Sequence, residues 1–280
     1  MTTLAERLNF AAQRLAAATD TPRLDAQILL AHALGINRAQ LMARLKEAVS
    51  VPGYDALVAR RSACEPLAYI LGEWEFFSMR FSCRNPVFVP RPETEHLVEA
   101  VIEEAGGRPA RILDVGTGTG CVGIAVAAHN PHCRVTAVDI RADAVGLAAL
   151  NARLHGVERR FCVLHADLLT SFRQGEDFDI VCSNPPYVEE GAWQDLSPVI
   201  RLYETPMALL SGTDGMDCIR RLASDARRIL KTGGLLALEI GQGQADGVRD
   251  ILRKKDYTDI RFRKDLAGID RVATARKSAC

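Results

Sequence analysis

"RILDVGTGTG" (Arg111–Gly120) is the stretch that decides the fold. Ile112, Leu113 and Val115 form an apolar run suited to a strand, and the glycines that follow open a helix. Gly116, Gly118 and Gly120 permit a tight turn and a close approach of backbone to a ligand, and a helix N-terminus favours an anionic group. The spacing is GxGxG, not the GxGxxG of dinucleotide sites. Taken alone, such a loop is also a plain strand-to-helix turn.

Strand-like runs recur downstream: "RVTAVDI" from Arg134, "FCVLHAD" from Phe161, "FDIVCSN" from Phe178, "GLLALEI" from Gly234, "YTDIRFRK" from Tyr257 and "RVATAR" from Arg271. Helical patterns are expected between the first five strands and again around Ala245–Lys255. Strand–helix alternation predicts an α/β fold, a seven-stranded, mainly parallel sheet with helices on both faces. The last two runs have no helix between them and are expected to pair antiparallel.

Upstream, residues 1–65 read as helical. Leu4, Leu8, Ala11, Ala12 and Leu15 share one helical face, and Leu24, Ile28 and Ala31 form a stripe on the next. Thr21, Asn37 and Ser50 look like helix caps, and Gly35 a stop. The expected organisation is a helical domain over 1–65, a β-hairpin linker over 66–90 with strand character from about Gly72, and an α/β domain over 91–280 with a helix from about Thr94 to Glu104.

Composition narrows the function. The chain has 280 residues, 48 % hydrophobic, with 35 basic and 35 acidic side chains. A zero net charge argues against wrapping long nucleic acid, which needs a basic surplus. Of the eight cysteines none forms a CxxC pair, and no Cys/His spacing reads as a metal site. They read as reduced thiols of a cytoplasmic protein. Glu6, Arg7 and Arg14 interrupt the N-terminal apolar pattern, so no signal peptide is expected, and no run is long enough to span a membrane.

The strand ends carry the chemistry. Asp139 ends the second strand of the α/β region, one βαβ unit after the glycines, where an acid accepts from both ribose hydroxyls. Asp167, followed by Leu168, ends the third. That pair suits an adenine amino group and ring face, although Asp167 alone also reads as a helix cap. Gly116, Thr117, Gly118, Thr119 and Gly120 with these acids point to an adenosine ligand. The "NPPY" tetrapeptide (Asn184–Tyr187) after the fourth strand favours S-adenosylmethionine over NAD, with S-adenosylhomocysteine as product. The methionine carboxylate is expected on the loop N–H groups and the ammonium near Asp114.

Two prolines make a rigid, donor-poor loop at the carboxyl end of a strand, where open α/β sheets bind ligands. The Asn184 carboxamide oxygen and the Pro185 carbonyl make a pair of acceptors suited to a planar –NH₂ group. Bonding both hydrogens aligns the nitrogen with the methyl donor, and Tyr187 covers the flat face. Pro186 completes the slot.

The tetrapeptide with a GxGxG loop resembles amino methyltransferases acting on planar nitrogens. With "EPLAYILGEWEF" (Glu65–Phe76), "VPRPETE" (Val89–Glu95), "VCSNPPY" (Val181–Tyr187) and "GIDRVATA" (Gly268–Ala275), the chain resembles the PrmC/HemK family of release factor N5-glutamine methyltransferases over nearly its whole length. The resemblance implies a class I, Rossmann-like methyltransferase domain behind a helical domain and a hairpin. It also implies a release factor substrate, modified on the glutamine of its Gly-Gly-Gln tripeptide. By the same resemblance Gly116–Gly120 and Asp139 hold the cofactor, Asn184 touches both cofactor and acceptor, and Asn184–Tyr187 grip the glutamine. Leu168 departs from the aromatic residue common in the family, and Thr205 stands where proline is expected after Glu204. "PRPETE" reads either as a lid over the methionine end or as a linker turn. The competing readings are a DNA or RNA amino methyltransferase, which would need a basic, aromatic-interleaved recognition surface, and a non-catalytic adenosine-binding scaffold, which would not need "NPPY".

Overall fold

The computed structural model describes residues 2–175 and 177–279, so Cys280 lies outside the described residues. The chain divides into two compact units: Met1–Glu73 with Leu196–Glu204, and Trp74–Asp195 with Thr205–Cys280.

The first unit is helical: α1 Leu4–Leu15, α2 Pro22–Leu34, α3 Arg38–Ala43, α4 Tyr54–Ser62 and α5 Leu67–Leu71. Thr3 and Glu6 form a reciprocal capping box on α1, and Asn37 and Gln40 form another on α3. Leu4, Leu8, Ala11 and Leu15 are buried as the periodicity predicts. On α2 the buried face is wider than the expected stripe and shifted from it: Ala31 is buried as expected and Ile28 partly so, Ala26, Leu29 and Leu30 also point inward, and Leu24 is exposed. Asp25 shares that buried face and pairs with Arg61 of α4 at 2.7 Å. Thr21 does not accept from the helix. Its hydroxyl donates to Asp25 Oδ1 at 2.9 Å instead. Ser50 is not a cap either, because α4 begins after Gly53, whose φ of 83° is left-handed. Leu196–Glu204, which includes α9 (Pro198–Tyr203), comes from far along the chain and belongs to this unit. Within it, the Tyr203 hydroxyl donates to the Ala63 carbonyl at 3.0 Å.

After Gly72 come β1 (Glu73–Phe76) and β2 (Met79–Ser82), joined by Phe77 and Ser78, both left-handed as a two-residue hairpin requires. A 3-10 turn, Pro92–Thr94, leads into α6 (Glu95–Ala105). The remaining elements are β3 Arg111–Val115, α7 Cys121–His129, β4 Arg134–Asp139, α8 Ala142–Leu154, β5 Phe161–His165, β6 Phe178–Ser183, α10 Asp217–Ile229, β7 Leu230–Glu239, α11 Ala245–Lys254, β8 Tyr257–Lys264 and β9 Asp270–Lys277.

The seven-stranded sheet has the order β5-β4-β3-β6-β7-β9-β8. The first five strands are mutually parallel, and β9 runs antiparallel to both β7 and β8. Between β5 and β6 the expected helix is missing: residues 166–175 form turns. Ile112, Ile180, Cys182 and Ala237 join one core cluster, while Leu113, Val115, Val181 and Leu238 join the other. Neighbouring residues alternate between faces, so a strand covered on both sides reads as a continuous apolar run.

The direction of crossover reverses between β3 and β6, and a ligand crevice belongs at such a switch point. There Ser183 Oγ donates to the Val115 carbonyl at 2.7 Å, tying the two strand ends together.

Candidate active site

A cavity of about 380 Å³ opens at the carboxyl ends of β3, β4 and β6. Gly116, Thr117, Gly118, Thr119, Asp139, Asp167, Leu168 and all four residues Asn184–Tyr187 line it. Residues separated in sequence by more than seventy positions thus face one space. Gly120 does not line the cavity. A Cβ there would meet Ile124 Cδ1 at 2.7 Å and Ala148 at 3.2 Å, so this glycine is required by helix packing rather than by a ligand.

The loop amides depart from the expectation of a carboxylate site. The N–H groups of Gly116 and Thr117 both donate to the Val138 carbonyl, and that of Gly120 donates to Thr117. The Gly118 N–H donates to Asp139 Oδ2 at 2.9 Å. These four donors build the turn. What Gly116 and Gly118 leave for a ligand is room: a Cβ on either would meet nothing within 4 Å, and both have left-handed φ. Among the described residues Thr119 Oγ1, buried in the cavity wall, has no hydrogen-bond partner beyond the neighbouring Cys121 thiol, which leaves a polar atom that an adenosine-type ligand could satisfy.

Three carboxylates face this end. Asp114 is buried, and its Oδ2 accepts from the Thr117 hydroxyl at 2.6 Å and the Gly123 N–H at 3.1 Å. Burial lifts its pKa to about 6 against those two bonds, and the Asp139 charge adds to the rise. Asp139 is raised by burial too, opposed by the N–H groups of Arg141 and Gly118. Its two oxygens are thus held in place by backbone with lone pairs to spare for ribose hydroxyls. Asp167 is less confined: Arg221 reaches its Oδ2 at 2.9 Å, and both side chains are exposed. Leu168 adopts a left-handed φ of 46° beside it.

At the other end, Asn184 Nδ2 donates to Thr94 Oγ1 at 3.0 Å. With its nitrogen spent there, its oxygen remains for a ligand. Tyr187 is anchored at both ends. Gln244 Nε2 donates to its carbonyl at 3.0 Å, and its hydroxyl donates to Glu239 Oε1 at 3.4 Å. Gly241 is needed beside the ring, since a Cβ would stand 3.1 Å from Tyr187 Cδ2.

Sequence reasoning missed the wall residues Pro86, Val87 and Phe88, while Pro90 and Thr94 of the PRPETE segment, read as a lid or a linker turn, also line the cavity. Val87 packs on Ala144 and Leu147 of α8. Asn151 of the same helix clamps β2 by accepting from the Ser82 N–H, and donates to the Thr119 carbonyl at 2.8 Å. A buried asparagine in a helix interior was the available signal. Arg221 and Met207 had no signal in the sequence.

Two family models match the chain: a PrmC N-terminal domain over residues 6–72 and a methyltransferase small domain over residues 92–210. A release factor glutamine methyltransferase of Nitratidesulfovibrio vulgaris is 38 % identical, covering 99 % of this chain and 96 % of the relative. One from Koribacter versatilis is 41 % identical, covering 98 % and 99 %. Among solved structures, a methyltransferase from Pyrococcus furiosus aligns with a TM-score of 0.53 at 16 % identity, covering 73 % of this chain and 91 % of that one, a likeness of fold.

Proposed function

The chain belongs to the release factor glutamine methyltransferase family, and we propose that it methylates the side-chain amide nitrogen, N5, of a release factor glutamine. The methyl donor is S-adenosylmethionine, and the acceptor we infer is the glutamine of the Gly-Gly-Gln tripeptide of class I factors. Bound in the cavity, the donor supplies an electrophilic methyl group, and the nitrogen that receives it gives up one proton.

The observation that carries the reading is the orientation of Asn184. Its Nδ2 is committed to Thr94, which leaves Oδ1 as an acceptor in a slot closed by Pro185, Pro186 and Tyr187. An amide –NH₂ fits that slot because it offers two hydrogens to the Asn184 oxygen and the Pro185 carbonyl. The protein then works by alignment rather than by a strong base. On the donor side, Asp139 takes the ribose, Thr119 and the open faces of Gly116 and Gly118 take the adjoining chain, and Leu168 covers the adenine. The cytoplasm is the compartment in which such a substrate is met. Equal numbers of acids and bases favour a protein acceptor over a nucleic acid one. We assign the helical unit to docking the body of the factor. Among the described residues no helix is long and apolar enough to cross a membrane.

The direct test is incubation with labelled methyl donor and purified release factor, followed by mass mapping. Label should sit on the tripeptide glutamine, vanish when that residue is alanine, and be absent from DNA and transfer RNA offered in its place. Asn184→Ala should cut turnover on the order of 10²–10³-fold, the usual cost of losing one aligned transition-state partner. Preferential labelling of nucleic acid would overturn the reading.

A further inference from the structure

Glu239 ends β7 in the middle of the sheet and is 1 % exposed. Among the described residues no ion pair reaches it. The groups that bear on it are Thr94, Tyr187, Glu93, Arg271 and the buried thiol of Cys121. Repulsion from Glu93 opposes the attraction of Arg271. Its Oε1 accepts from the Tyr187 hydroxyl, and its Oε2 makes no hydrogen bond. Burial raises its pKa to about 7, and the Thr94 and Tyr187 hydroxyls both pull it down.

The direction of the hydrogens explains the arrangement. Thr94 Oγ1 accepts from Asn184 Nδ2. A hydroxyl has one hydrogen of its own, and the Thr94 hydroxyl lies close enough to Glu239 to lower its pKa. The Tyr187 hydroxyl ends on the same carboxylate. The last residue of the tetrapeptide thus donates to Glu239 directly, and the partner of the first, Thr94, bears on the same carboxylate. An ionised carboxylate only accepts, so it imposes a direction on both hydroxyls. A carboxamide is nearly the same shape either way round, and only the polarity of its partner decides which end faces the cavity.

We propose that Glu239 is a positioning residue for methyl transfer: through Thr94 it keeps the Asn184 carboxamide oxygen turned to the acceptor amide, and directly it holds Tyr187. This rests on the reading of Asn184–Tyr187 as the acceptor slot. Replacing the carboxylate by a carboxamide puts a donor where an acceptor is needed. The chain can then reverse, with Thr94 donating to Asn184 and the asparagine –NH₂ turned into the slot.

The test uses the full-length chain with Glu239→Gln, Thr94→Val, Thr94→Ser and the Glu239→Gln/Thr94→Val double variant. Methyl transfer to release factor is read in single turnover, and S-adenosylmethionine binding by calorimetry. Glu239→Gln and Thr94→Val should each lose at least about tenfold in rate with donor affinity kept within about twofold. The double variant should be little worse than either single, because both break one chain. Thr94→Ser, which keeps the hydroxyl, should recover most of the rate. The wild-type rate should fall as pH drops through about 7, where Glu239 takes up its proton, and Glu239→Gln should lack that limb. Full rates in the folded single variants, multiplied losses in the double, or an unchanged acid limb in Glu239→Gln would each overturn the proposal. A wild-type protein that leaves release factor unmethylated would overturn the functional reading and with it this role. An active wild type with fully active variants would overturn this role alone.

Discussion

Asp25 in the helical unit and Glu239 in the sheet unit are both buried carboxylates, and they are held in opposite ways. Asp25 has a full counter-charge, Arg61, at 2.7 Å, and a threonine hydroxyl on its other oxygen. Among the described residues Glu239 has only a phenol, at 3.4 Å, and its other oxygen has no hydrogen bond. Asp114 resembles Glu239: a threonine hydroxyl and an amide N–H hold it, and among the described residues no ion pair reaches it. The difference teaches where each unit spends its polar interactions. A carboxylate paired with a buried arginine organises a fold. A carboxylate held by neutral donors keeps a pKa close to neutrality and can direct or release those donors.

The largest effect should come from breaking the paired acid. Asp25→Ala leaves Arg61 buried without a counter-charge, a change that typically costs about 3–5 kcal/mol. Urea denaturation should show that loss, while the affinity for S-adenosylmethionine in the folded protein stays unchanged. A loss below about 1 kcal/mol, the range of a surface pair, would erase the contrast.

The unpaired acids should show themselves through pH. Glu239 and Asp114 have folded pKa values of about 7 and about 6, both above their ordinary values. The folded state binds the extra protons, so their contribution is fully present below the ordinary carboxylate range and is lost as pH rises through 6 and 7. For Glu239 the span is on the order of 3 kcal/mol. Thermal unfolding should therefore occur at lower temperature as pH rises across this window. Glu239→Gln should flatten the trend; an identical slope in that variant would show that Glu239 titrates normally.

Asp139 tests the intermediate case, an acid held by backbone N–H groups. Asp139→Ala should weaken S-adenosylmethionine binding at least about tenfold, the loss of roughly 1.4 kcal/mol of charge-assisted bonding. Calorimetry with unchanged affinity would remove it from the site. The smallest effect belongs to Arg221, whose pair with Asp167 is open to solvent. Arg221→Ala should change stability by no more than about 1 kcal/mol and be visible only at low salt. A larger loss would mean that Arg221 meets the ligand itself.

The parallel sheet was legible because each buried strand is a run of apolar residues bounded by a glycine or an acid, as in Arg111–Gly120. Asp139 could be placed because it is the first polar residue after an apolar strand run, and Asp167 and Asn184 because they lie one or two residues past such a run. After β5 the composition predicts a helix and the chain forms turns, since turns and a short helix have similar local composition. On α2, Leu24, Ile28 and Ala31 make a periodic stripe of which Leu24 is exposed, while the polar Asp25, unmarked by periodicity, is buried through its pairing with the distant Arg61. Leu196–Glu204 reads locally as an excursion after the tetrapeptide, and nothing in its residues marks it as part of the helical unit.

By itself the sequence determined the strand order in time, the glycine turn, and the residue types at the strand ends, because these follow from local sterics and from alternation of apolar and polar groups. The tertiary structure decided which of them share a cavity and in which direction their hydrogens run. Thr94 and Asn184 are ninety positions apart, and Tyr187 and Glu239 are fifty-two apart. A carboxamide's orientation depends on whether its neighbour donates or accepts. That neighbour is chosen only when the sheet has brought distant strand ends together.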